Sequence, residues 1–131
     1  MRFNCVSYAL KLEEDQSTLI ENLDWTLPPV EAIRKLSQSY GLLVREIPED
    51  APLFTGEWRV CFFGFVPIAW DYEGRPEWYD YHLIRQNEDG LWYHRKTWKA
   101  TITVADLEEI TKEYGMAGIH PIFFAMKKAE E

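Results

Sequence analysis

The chain has 131 residues, 47% of them hydrophobic and 27% charged, which is the size and make-up of one globular domain spanning 1–131 and excludes both a disordered chain and two independent halves. Lys and Arg number 14 against 22 Asp and Glu, for a formal net charge of −8. That is the wrong sign for a protein that neutralises phosphates, so no nucleic acid and no anionic membrane is expected as a partner, whereas a positively charged partner is compatible.

The longest greasy run, Val60 to Trp70, is interrupted by Gly64 and Pro67 and falls short of the roughly 18 apolar residues that cross a bilayer. The start Met1-Arg2-Phe3-Asn4-Cys5 lacks the layout of a secretory signal, so the expected location is the cytoplasm, with delivery outside the cell requiring another route. Two cysteines, Cys5 and Cys61, make no disulfide framework, and both are expected reduced. Aromatic residues reach 15%. Much of this lies between Trp58 and Trp98, which points to a β-rich centre whose rings either line a groove or fill a small core.

Asn4 has the chemistry of a helix N-cap, so a helix is expected from Cys5. Pro28-Pro29 opens a second helix, on which Val30, Ile33, Leu36 and Tyr40 recur at helical spacing until Gly41. Leu42 to Ile47 reads as a strand and Pro48 to Gly56 as a loop. Trp58 to Val66 is almost continuously apolar, the pattern of a strand covered on both faces. Pro67 to Glu77, with two prolines and a glycine, reads as a long loop. Trp78 to Arg85 and Leu91 to Lys96 form a hairpin across a polar turn. Thr101 to Thr103 is a further strand, Ala105 to Tyr114 a third helix and Ile119 to Met126 a last strand. Helices around a mostly antiparallel sheet make an α+β fold.

With the hairpin turn centred on Glu88, His82 and His94 stand directly opposite each other, and opposed residues share a face with Cβ atoms about 4.5–5.5 Å apart. Such a pair is either cross-strand packing or a functional couple. Cys5, in the first turn of its helix, would feel the positive end of the helix dipole and unpaired N–H groups, both of which favour thiolate. A neighbouring imidazole would lower the thiol pKa further, and a second polar group would orient that imidazole. Cys61, by contrast, sits mid-strand in Val60-Cys61-Phe62-Phe63 and reads as a small buried apolar residue. Asp80 shares a strand face with His82 and could tune it or bind a substrate amine. His120, before Pro121, reads as a turn residue. The amide of Cys5 is a candidate oxyanion donor, and Tyr8, one turn along, a candidate side-chain donor. Cys5, His82 and His94 could alternatively ligate zinc with water in fourth place, but no close Cys-x-x-Cys or His-x-x-x-His pair supports this, so no metal is assigned. Walker and Gly-x-Gly-x-x-Gly motifs are absent.

Asn4-Cys5-Val6-Ser7-Tyr8-Ala9-Leu10, Asp80-Tyr81-His82-Leu83-Ile84-Arg85-Gln86 and Asp89-Gly90-Leu91-Trp92-Tyr93-His94 together resemble the papain-like cysteine peptidases and amidases in their compact NlpC form, and small bacterial and phage proteins of that type. In this sequence Asn4 precedes the cysteine and Val6-Ser7 follow it, where the family has Asp and then Cys-Ser-Gly. The resemblance implies a cysteine helix packed on a mostly antiparallel sheet with extra helices. It also implies a Cys5, His82, His94 triad acting on a peptide or amide substrate, by hydrolysis or acyl transfer, without a cofactor. Trp70, Tyr72 and Trp78 would then wall the cleft, with Tyr8 and Asp80 beside the substrate. The alternative is a non-catalytic papain-like protein that grips a protein partner through its acidic, aromatic surface.

Overall fold

The computed structural model describes residues 4–12, 24, 26–95 and 102–129. In chain order the elements are α1 (Asn4–Ala9), α2 (Pro29–Ser39), β1 (Leu42–Ile47), β2 (Trp58–Trp70), β3 (Pro76–Gln86), β4 (Trp92–Arg95), β5 (Ile102–Val104), α3 (Leu107–Gly115) and β6 (Pro121–Lys128). The six strands form one antiparallel sheet in the order β1-β6-β2-β3-β4-β5. The expected α+β class holds.

Local chemistry sets the helix limits. Pro28 and Pro29 start α2, where a missing N–H costs nothing, and Gly41 at φ 80° follows its end. Asp106 caps α3 by accepting a hydrogen bond from the Glu109 amide at 3.1 Å, so this helix starts at Leu107, later than the apolar spacing alone suggests.

The sheet has an apolar layer on each face. Trp58, Val60 and Phe62 of β2 join Leu83 of β3, Phe124 and Met126 of β6, and the apolar sides of α1 and α2 in one cluster. Cys61 and Phe63 join Ile84, Phe123, Ala125 and Ile110 of α3 in the other, which Ala51 and Leu53 of the 48–57 loop also cover. Successive strand residues point to opposite faces, so a strand segment covered twice is continuously apolar, as Val60 to Phe63 of β2 are.

The expected Pro67–Glu77 loop is corrected: β2 continues to Trp70 and β3 begins at Pro76, leaving only residues 71–75 as a turn. Three register shifts, between Phe63 and Val66, Pro67 and Ala69, and Ala69 and Trp70, let the pairing continue past a proline that cannot donate to it. At Gly64 a Cβ would lie 3.3 Å from Pro29 side-chain carbons, so β2 approaches α2 closely where it has no side chain. The turn is ordered by Asp71, whose Oδ1 accepts from the amides of Glu73 (2.8 Å) and Arg75 (3.0 Å).

A fork from β1 fastens the 48–57 loop: Arg45 Nε and Nη2 each donate to a different Glu57 carboxylate oxygen at 2.8 Å. The Phe54 amide donates to Glu57 at 2.6 Å, and the guanidinium lies 4.0 Å from the Phe54 ring centre. The Arg45 hydrogen bond, first, holds the Glu57 carboxyl below its ordinary pKa of 4.5. A depressed carboxylate stabilises the fold above its unfolded pKa, and that contribution disappears as pH falls through the folded value. Arg45→Gln is therefore expected to lower the urea midpoint at pH 7, with the gap from the parent protein narrowing steadily below pH 4.5. In the same assay Phe62→Ala, at 0% exposure, is expected to cost about 3–5 kcal/mol.

Candidate functional site

Helix α1 lies over β3 and β4, and three side chains hold it there. Trp58 Nε1 donates to the Ala9 carbonyl at 2.9 Å. Arg85 Nη1 donates to the Tyr8 carbonyl at 2.7 Å while its guanidinium carbon sits 3.9 Å from the Tyr8 ring centre. Asn87 accepts from Arg85 Nε through Oδ1 at 3.1 Å and donates through Nδ2 to the Tyr8 hydroxyl at 3.1 Å. The guanidinium bonds the last turn of the helix, where the unpaired carbonyls and the negative end of the dipole favour a cation. Burial, the first cause, pulls the Arg85 pKa below its ordinary value.

His82 and His94 meet. The Nε2 of His82 and the Nδ1 of His94 are 2.7 Å apart, with ring centres at 4.9 Å and planes at 66°. His94 is 4% exposed. One ring must donate N–H to the other's lone pair, so the pair is fixed in complementary tautomers. The register that brings them together differs from the expected one. Arg85 pairs with Tyr93 and Gln86 with Trp92, so the turn is centred on Asp89 and Ile84, not His82, faces His94. The shift is two residues, which preserves the face, and diagonal neighbours about 7–8 Å apart remain within reach of ring side chains.

The same alternation assigns the apolar residues of β2 and β3 to two faces. Phe62 pairs with Leu83 and Phe63 with His82; Phe62 and Leu83 belong to the cluster of Cys5, and Phe63 to the cluster on the opposite face. Cys5 is 1% exposed among Val6, Ala9, Leu10 and Phe62. Of the expected set Cys5, His82 and His94, the two histidines come together at 2.7 Å, and Cys5 is buried in the apolar layer that α1 covers. Among the described residues no cluster of three or more His, Cys, Asp or Glu is placed to hold a metal.

The remaining candidates are accounted for in turn. Tyr8 is buried, and its hydroxyl accepts from Asn87, which anchors α1. Trp70 and Tyr72 stand at the β2–β3 tip, 56% and 98% exposed. Pro76, the Trp70 partner, lies six positions before His82 on β3, about 20 Å along a strand. The side chains of Trp78 and Asp80 lie outside the described ones. His120 is exposed in the turn before β6. Cys61 is buried mid-strand as expected, and burial, with a smaller push from the Glu49 carboxylate, raises its thiol pKa. Arg85 and Asn87 were absent from the sequence reading as contact residues; the signal was an arginine ending the apolar run Leu83-Ile84 on a strand that a helix covers.

Among the described residues no helix is long and apolar enough to cross a membrane. The chain matches no protein-family model, no curated protein and no solved structure.

Replacing Arg85 with Met removes charge-assisted bonds to Tyr8 and Asn87 while keeping most of the stem, and is expected to cost about 2–3 kcal/mol in urea unfolding. Tyr8→Phe, which removes one neutral bond, is expected to cost about 1 kcal/mol, with amide exchange in residues 5–10 accelerating more in the Arg85 variant.

Proposed function

We propose that this chain is a non-catalytic, papain-like binding protein that grips a protein partner through its acidic, aromatic surface. The observation that carries this reading is the set of exposed rings Phe54, Trp70 and Tyr72. A thiol nucleophile needs a path for the substrate, and Cys5 is 1% exposed in an apolar layer. Helix α1 has only six residues, so its dipole gives a thiolate little support. In contrast, Trp70, Tyr72 and Phe54 are exposed on a chain of net charge −8, and exposed rings of this kind commonly anchor protein interfaces.

A second reading is favoured by one observation, the 2.7 Å bond between His82 and His94, which is the relation of a base to its orienting partner. In that reading the protein is a cysteine peptidase, amidase or acyl-transferase: Cys5 attacks the carbonyl carbon of an amide, His82 takes the thiol proton and passes it to the leaving amine, and His94 orients His82. It requires Cys5 and His82 to share a face.

Iodoacetamide labelling of the folded protein at pH 6.5, read by peptide mass mapping, separates the two. For a binding protein, Cys5 is expected to label as slowly as Cys61, at a rate unchanged by His82→Ala. Labelling of Cys5 at least tenfold faster than Cys61, slowed by His82→Ala, would establish the hydrolase reading instead.

A further inference from the structure

We infer that the gripping element is the β2–β3 tip, residues 70–75, and that its occupant is a polypeptide segment rich in Lys or Arg. This rests on the binding-protein reading above. The tip presents two rings, Trp70 at 56% and Tyr72 at 98% exposure, alternating with the carboxylates of Asp71 and Glu73. Its backbone is held in place before any partner arrives. Asp71 Oδ1 accepts from the amides of Glu73 and Arg75, the Asp71 amide donates to the Arg75 carbonyl at 2.9 Å, and the Gly74 amide donates to the Asp71 carbonyl at 3.1 Å. Gly74, at φ 83°, takes the left-handed conformation that closes this turn at little steric cost. Rings on an ordered backbone lose little freedom on binding.

The mixture of rings and carboxylates selects a cation. An ammonium or guanidinium gains from the negative face of Trp or Tyr and from an adjacent carboxylate together, whereas a purely apolar partner would have to desolvate Asp71 and Glu73 without return. Arg75, the one cation of the tip, reaches Glu73 only at 3.9 Å, with both side chains exposed. An exposed pair at that distance holds weakly and exchanges readily for an incoming Lys or Arg. The net charge of −8 draws such a partner from a distance.

Fluorescence anisotropy tests this with three labelled eight-residue probes: alternating Gly-Lys, Gly-Glu and Gly-Leu. The Gly-Lys probe is expected to bind at least tenfold more tightly than the other two, and to lose at least tenfold in affinity to a Trp70→Ala, Tyr72→Ala double variant whose circular dichroism is unchanged. Equal Gly-Lys binding by the parent and the double variant would show attraction by overall charge and overturn the assignment of the tip. Equal binding of Gly-Leu would overturn the cationic occupant. Self-association in sedimentation that the double variant abolishes would make a second copy the occupant and overturn it as well. Any of these failures alongside slow Cys5 labelling leaves the binding-protein reading standing, whereas rapid Cys5 labelling removes that reading and the tip proposal with it.

Discussion

Strands β2 and β3 each present residues to two covered faces, and this alternation is the constraint on which the arrangement of the chemistry depends. Because Phe62 and Leu83 belong to the layer that α1 covers, Phe63 and Ile84 beside them are committed to the α3 side. No side-chain rotation moves a residue through a packed sheet. Reversing the faces would expose one apolar layer and bury the polar groups of β3 beneath the other, with a large loss of hydrophobic stabilisation. The facing of residues along these two strands therefore follows from the core of the protein and not from the details of any loop.

Helix α1 depends on the sheet rather than on itself. A six-residue helix is far below the length at which an isolated helix is marginally stable in water, so its conformation comes from tertiary contacts. Trp58 and Arg85 bond carbonyls at its C-terminal end, and Lys11 then leaves it at φ 54°, a left-handed position that glycine usually fills. Side chains from β2 and β3 thereby satisfy groups that the helix terminus leaves open. The aromatic-rich composition read as a small core built from large residues is seen in Trp58, Phe62, Phe63 and Phe124, all buried.

Much of the fold was legible from residue order. The apolar spacing from Val30 to Leu36 with its prolines, the run beginning at Trp58 and the polar turn after Gln86 all mark elements that exist. The reading failed where a local rule met tertiary pairing. Pro67 and Pro76 signalled a loop, but bulges carry the sheet past the first, and the second begins β3. The candidate site was half legible. That His82 and His94 share a face follows from an even register, and placing the turn centre one residue early changed their alignment without changing that face. Which face Cys5 would share depended on how α1 sits on the sheet, set by Arg85, Tyr8 and Asn87. These are contacts between segments nearly eighty positions apart, so no local pattern records them.

The hairpin joining β3 to β4 carries a rule about length. Its turn, with Gly90 at φ 82° and the Asn87 amide bonded to the Leu91 carbonyl, determines whether Trp92 and His94 or Tyr93 and Arg95 lie over the layer beneath α3. Lengthening it by a single amino acid, with pairing retained from the turn outward, would exchange those two sets and swing one imidazole out of its layer and away from the other. Lengthening it by two would return both to their places. Variation in this loop is thus quantised, and changes by even numbers are the ones that leave the paired rings together.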